Sequence, residues 1–219
     1  MTSVMKNCIE SKLTLRERKK EQTRRALARA AAELLLLAGN EGMTVAAIAA
    51  RAGVSTRTFH NYFPRREDAL IAFLETTVAE FAQKVRQAPE GETPLATLHH
   101  LISERVGSHE SGSPDTLLNL MIIGDHLSYT TSPEEREQVR HLLDELLDAL
   151  HRRGGGRLTR HATALLLYSA LTAGAIAVES AQGGKDARRL SYWVLAEDSP
   201  STTELLDAQF TLLAEGFGA

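Results

Sequence analysis

The chain holds a single cysteine, Cys8, in a polar N-terminal stretch. An intrachain disulfide is therefore excluded, and an oxidising compartment gains no support. Aromatic residues make up only 5% of the 219 residues, and no segment alternates apolar and polar residues as a half-buried strand does. No apolar run approaches the roughly 18 to 20 residues that span a bilayer. The N-terminus lacks the apolar core of a signal peptide, so no membrane association is expected, and a cytoplasmic location is. Catalytic signatures are also missing: there is no nucleophile elbow, phosphate loop or Cys-X-X-Cys pair. The histidines His99, His100, His126, His141, His151 and His161 do not make a ligand set. Adjacent residues on a helix point about 100° apart, and His141 with Glu145 has the spacing of a surface pair. No catalytic residue, metal or cofactor is expected, and the chain does not read as an enzyme.

What the chain has in abundance is Ala and Leu, which lose little side-chain entropy in helices. Its charge is unevenly spread. Residues 1–70 carry 13 Lys/Arg against 7 Asp/Glu, while the remainder carries 12 against 21. A basic head on an acidic body suits a head that meets a polyanion; the alternative is a chance excess of solvated charge.

Residues 1–15 show no periodicity and read as a disordered basic arm. A helix is expected from about Arg16 to Ala38, with Leu27, Ala30, Ala31, Leu34, Leu35 and Ala38 on one face, stopped by Gly39-Asn40. Thr44 caps a second helix to Ala52. Gly53 turns the chain, Ser55 caps a short helix from Thr56 to Tyr62, and Pro64 closes it. A longer helix is expected from about Arg65 to Gln87. Beyond it come helices from Pro94 to about Ser108, from Ser113-Pro114 to about Tyr129, and from the capping box Ser132-Pro133-Glu134-Glu135 to about Arg153. Thr159 to Gln182, ended by Gly183-Gly184, a shorter helix within Lys185 to Ala196 carrying Trp193, and Ser201 to about Gly216 complete the set. The fold class is all-α: an N-terminal three-helix domain over 16–64 and a larger helical domain over 65–219.

Two helices joined by Gly53-Val54-Ser55, the second short and polar outward, form a helix-turn-helix. Ala49 is small where the helices cross, and Val54 and Phe59 fill the wedge between them. Thr56, Arg57, His60 and Asn61 are left outward, with donors and acceptors suited to base edges and phosphates and no acid among them. Arg16, Arg18, Lys19, Lys20, Arg24 and Arg25 sit at the start of the domain, where cations oppose the helix dipole. They suit phosphate or a minor groove, or simple hydration.

The stretch Thr44 to Phe63 (TVAAIAARAGVSTRTFHNYF), preceded by a basic helix, resembles the DNA-binding domain of the TetR family of bacterial repressors over about residues 16–70. Its Arg-Thr-Phe-His-Asn-Tyr-Phe form is similar to a subgroup common in actinobacterial members. The resemblance implies that Thr44 touches phosphate through its hydroxyl and nearby backbone N–H groups, and that Ser55 and Thr58 contact backbone or base edges. It also implies that Tyr62 gives its hydroxyl to phosphate, and that Arg66 holds phosphate with Arg65 beside it. Two positions depart from the pattern. Arg57 stands where many members have glycine, and its side chain suits guanine O6 and N7, a phosphate, or solvent. His60 replaces a common tyrosine.

Helix-turn-helix proteins generally dimerise over palindromes. Ala162, Leu166, Ser169, Ala170, Ala173, Gly174 and Ala177 make a small-residue surface. With Leu206, Phe210 and Leu213 it reads either as half of an intersubunit four-helix bundle or as the domain's own central core. The resemblance further implies a ligand pocket among the central helices, where Asn119, Met121, Asp125, His126 and Tyr129 are candidate lining groups or plain structural residues. The expected function is a dimeric repressor of double-stranded DNA, released from a palindromic operator by a small apolar molecule. The alternatives are a sequence-tolerant architectural DNA binder without effector, and an activator.

Overall fold

In the computed structural model, which describes residues 14–108, Pro114, 117–181 and 201–216, every regular element is an α-helix. They are α1 Leu15–Gly42, α2 Val45–Arg51, α3 Thr56–His60, α4 Arg66–Gln87, α5 Pro94–Ser108, α6 Leu117–Thr130, α7 Pro133–Arg153, α8 Arg160–Ala181 and α9 Thr202–Glu215. Of the arm expected over 1–15, Thr14 and Leu15 instead cap and open α1, and residues 1–13 lie outside the described residues, as do the Ser113 start, the Gly183-Gly184 stop and the helix carrying Trp193.

Helix starts follow from side chains that satisfy orphan N–H groups. Thr14 opens α1 with a capping box: its N–H donates to Glu17 Oε2 at 2.7 Å, and the Glu17 N–H donates to Thr14 Oγ1 at 3.2 Å. The boxes at Ser132/Glu135 and Ser201/Glu204 form at the residues expected from sequence. The backbone hydrogen bond from Thr14, with its hydroxyl second, holds the Glu17 carboxyl below its ordinary pKa. At Glu204 the Ser201 hydroxyl, then the Ser201 backbone, acts in the same direction. Within α1 the helical path breaks at Gly39, whose φ is 68°.

The chain divides into two compact units, one ending at Phe73 and one beginning at Leu74. The first two turns of α4 thus group with the N-terminal helices. In this first unit α1 packs on α2, and α2 on α3. Leu27, Ala31, Met43, Ile48 and Phe59 are all fully buried. Complete burial of each large side chain contributes roughly 1.5–3 kcal/mol, which is how helices as short as α2 and α3 hold their places.

In the second unit α8 is the hub, packing on α5, α6, α7 and α9. Its small residues make this possible. A Cβ at Gly174 would lie 2.8 Å from Ile102 Cγ2, closer than side chains tolerate, so α5 and α8 approach as they do only because position 174 has no side chain. Arg153 fastens the end of α7 to its neighbours. Its guanidinium donates to Thr97 Oγ1 at 2.7 Å, to the Val85 carbonyl at 3.2 Å, and to the Pro89 carbonyl.

Candidate nucleic-acid interface and ligand cavity

The interface is built from the inside of the first unit outward. Phe59 is fully buried, its ring tilted at 47° against that of Phe63 with 5.9 Å between ring centres. It pins α3 by one face and leaves Thr56, Arg57, His60 and Asn61 exposed on the other. The approach to α3 is fixed by Gly53, whose φ of 69° lies in the left-handed region where other residues are strained. Ser55 then caps the helix: the Thr58 N–H donates to Ser55 Oγ at 3.1 Å, and the two hydroxyls lie 2.9 Å apart. Thr44 likewise accepts the Ala47 N–H at 3.1 Å. Thr44, Ser55 and Thr58 therefore have structural duties, whatever else they touch. Regular helix ends at His60, two residues before the expected Tyr62, with Asn61 as C-cap. Tyr62 is half-buried and the adjoining Phe63 buried.

The cations of this unit fall into two groups. Arg25 pairs with Glu21, Arg29 and Arg51 both pair with Glu33, and Arg65 pairs with Asp68. Arg24 lies 5.4 Å above the Phe63 ring, a contact no periodicity argument reveals. By contrast Arg16, Lys19, Lys20 and Arg57 are exposed, and their side chains make no hydrogen bond or ion pair among the described residues. Arg57 stands alone in this respect on α3, directly on the outward face.

Arg66 is deployed inward. Its Nη1 donates to the Asn40 carbonyl at 2.8 Å and the Met43 carbonyl at 3.1 Å, its Nη2 to Asn40 Oδ1 at 2.8 Å, and its Nε to Glu67 Oε1 at 2.8 Å. A guanidinium has five N–H donors, so these bonds leave little of it for a phosphate. No pattern local to Arg66 announces this, because Asn40 and Met43 lie 26 and 23 positions away in sequence.

In the second unit a cavity of about 460 Å³ lies among α4, α6, α7 and α8. Leu74, Val78, Leu120, Val139, Leu146 and Leu171 are among its many apolar walls, and its charged groups are Asp125, Arg140 and Asp144. Of the five ligand candidates it brings in Met121 and Asp125. Asn119 and His126 are half-buried and do not line it, and Tyr129 is 82% exposed. The walls from α7 were hidden in sequence, because a leucine stripe facing a cavity has the same period as one facing core.

The small-residue surface of α8 is used within the chain. Ala170, Ala173, Gly174, Ala177, Leu206 and Phe210 are all buried against the chain's own helices, and Leu166 and Leu213 are half-buried. The exposed apolar residues of α8 and α9 are different ones: Leu165 at 69%, Tyr168 at 52% and Leu212 at 46%.

Comparisons with known proteins agree with this geometry. The model of the bacterial regulatory proteins of the tetR family matches residues 27–73. The HTH-type transcriptional regulator TcmR of Streptomyces glaucescens is 36% identical over 84 residues, which cover 38% of this chain and 37% of that protein. Among solved structures, a transcriptional regulator from Rhodococcus superposes over 88% of this chain and 96% of its own, with a TM-score of 0.59 at 23% identity. The transcriptional regulator FadR of Bacillus subtilis, solved in complex with stearoyl-CoA, superposes over 87% and 97%, with a TM-score of 0.58 at 21% identity. At such identities these structures speak for the fold, which extends the likeness to the helices beyond the matched segment. Residues 27–73 thus match the tetR family of bacterial regulatory proteins, and the matched segment contains the helix-turn-helix described above.

Proposed function

We propose that the protein is a dimeric, ligand-responsive transcriptional repressor acting in the cytoplasm, which reads a palindromic operator with α3 and leaves it when a small apolar molecule binds. The observation that carries this reading is the outward face of α3. Its four polar side chains are exposed over a buried Phe59, and Arg57 has no side-chain partner among the described residues to keep it from DNA. In the major groove, Arg57 suits guanine O6 and N7, and Thr56, His60 and Asn61 suit neighbouring edges or phosphates. Arg16, Lys19 and Lys20, whose side chains have no partner among the described residues, suit the backbone or a minor groove.

Dimerisation follows from economy of contact, since one such head buries too little surface for a specific site. The exposed Leu165 and Leu212 offer α8 and α9 as the meeting face, in place of the buried small residues. The cavity supports the effector. Its volume falls within the range of about 300–1,000 Å³ typical of small-molecule sites, and its walls are apolar as such sites are. Leu74 and Val78, which line it, and Arg66, which closes the end of α1, belong to the same helix α4. A ligand that binds one setting of α4 better than the other shifts the equilibrium by that difference in affinity.

Selection of bound DNA from a random pool, with light scattering of the free protein, tests this. A palindrome together with a dimeric mass supports it. Salt-sensitive retention without sequence preference would instead make the protein an architectural binder, and a monomeric mass would remove the two-headed mechanism.

A further inference from the structure

The charges around the cavity do not cancel. Arg140 is paired with Glu137 of its own helix. Asp144 accepts from Arg160 Nη2 at 2.7 Å, and the same guanidinium also holds Asp148, so one arginine serves two carboxylates. Asp125 is on α6, one turn before Ser128. Only its backbone carbonyl is engaged, accepting from Ser128 Oγ at 2.6 Å, and its carboxylate makes no hydrogen bond or ion pair among the described residues. Asp125 is exposed and still lines the cavity, which places it at the mouth rather than the floor. The cavity therefore pairs a largely hydrocarbon interior with an acidic entrance, where the Asp125 carboxylate has no partner among the described residues. Tyr168, also on the lining and half-exposed, adds an aromatic face of the kind that attracts ammonium groups.

We infer that the effector is a lipophilic cation, a molecule whose apolar body fills the space among Leu74, Val78, Leu120 and Leu171 and whose amine or quaternary ammonium head sits at Asp125. This rests on the reading of the cavity as the effector site and adds the sign of the ligand's charge. A carboxylate-headed chain of equal length meets net negative charge at the mouth and binds less well, because like charges disfavour each other at close range.

A matched series of dodecyltrimethylammonium, dodecanol and dodecanoate, titrated calorimetrically into the full chain below their micelle concentrations, separates the two parts. Circular dichroism would confirm that the helices persist. The expected result is binding at least about tenfold tighter for the ammonium than for dodecanoate, equivalent to about 1.4 kcal/mol, with dodecanol between. Asp125→Asn, a change at an exposed position, should remove most of that preference while leaving dodecanol unaffected. Equal or tighter binding of dodecanoate, or a cation preference that survives Asp125→Asn, overturns the charge assignment but leaves the cavity as an effector site. Failure of all three probes to bind overturns the effector site and, with it, the assignment.

Discussion

Arg66 grips Asn40 twice, through the backbone carbonyl and through Oδ1, each at 2.8 Å across 26 positions of sequence. The link joins the start of α4 to the end of α1, beside the Met43-Thr44 segment that opens the helix-turn-helix. Arg66→Ala is expected to destabilise the first unit by about 1.5–3 kcal/mol, the range for hydrogen bonds to a charged group. Arg66→Lys should recover little of this, since an ammonium cannot reproduce the planar fork. Urea denaturation followed by circular dichroism measures both. If both variants keep full stability and lose only DNA affinity, Arg66 is a phosphate contact after all.

Arg57→Ala should have the opposite profile. The side chain is exposed and has no partner among the described residues, so folding stability is expected to stay within about 0.5 kcal/mol of the parent. Affinity for the selected operator is expected to fall by about 1–3 kcal/mol, with relaxed discrimination at one base pair of each half-site. Competition binding against singly substituted operators reports this, and an equal loss on every sequence would assign Arg57 to phosphate.

Gly174→Ala probes the crossing of α5 and α8. The added methyl would meet Ile102 Cγ2 at 2.8 Å, and overpacking of this kind costs about 1–3 kcal/mol, although alanine is otherwise the better helix former. Combining it with Ile102→Ala, which removes Cγ2, should return part of the loss. A stabilised Gly174→Ala variant would show that the helices have room to separate.

These cases also show what sequence could and could not convey. Helix starts were legible because they depend on neighbours in sequence: Thr44, Ser55, and the boxes at Ser132 and Ser201 cap the helices they were expected to cap. The helix-turn-helix was legible for the same reason, since Gly53, Ser55 and Phe59 act within one short stretch. Arg66 was not legible, because its role depends on Asn40 arriving from another helix. The stripe containing Ala170, Ala173 and Gly174 announced that helices come close there, but composition does not say whether the approaching helix belongs to the same chain. Here it is α5. Likewise the apolar period of α7 is silent about whether Val139 and Leu146 face packed atoms or empty space.

The capping carboxylates make stability depend on pH. Glu17 and Glu204 are held below their ordinary values in the folded chain. Their contribution is therefore present above the unfolded carboxylate pKa and fades as pH falls through the lower folded one. Amide exchange in the first turns of α1 and α9 should quicken relative to the helix centres as pH drops through that window, once corrected for the intrinsic rate. Exchange that is indifferent to carboxylate titration would leave the boxes without energetic weight.

The claim that most depends on α3 concerns where it lies on DNA. Photocrosslinking to a selected operator carrying 5-iodouracil puts a reactive atom in the major groove at the position of the thymine methyl, and mass spectrometry of the crosslinked peptide identifies its neighbour. Attachment within Thr56 to Asn61 is the predicted result. Attachment confined to residues beyond Leu74, with none on α3, would contradict the account.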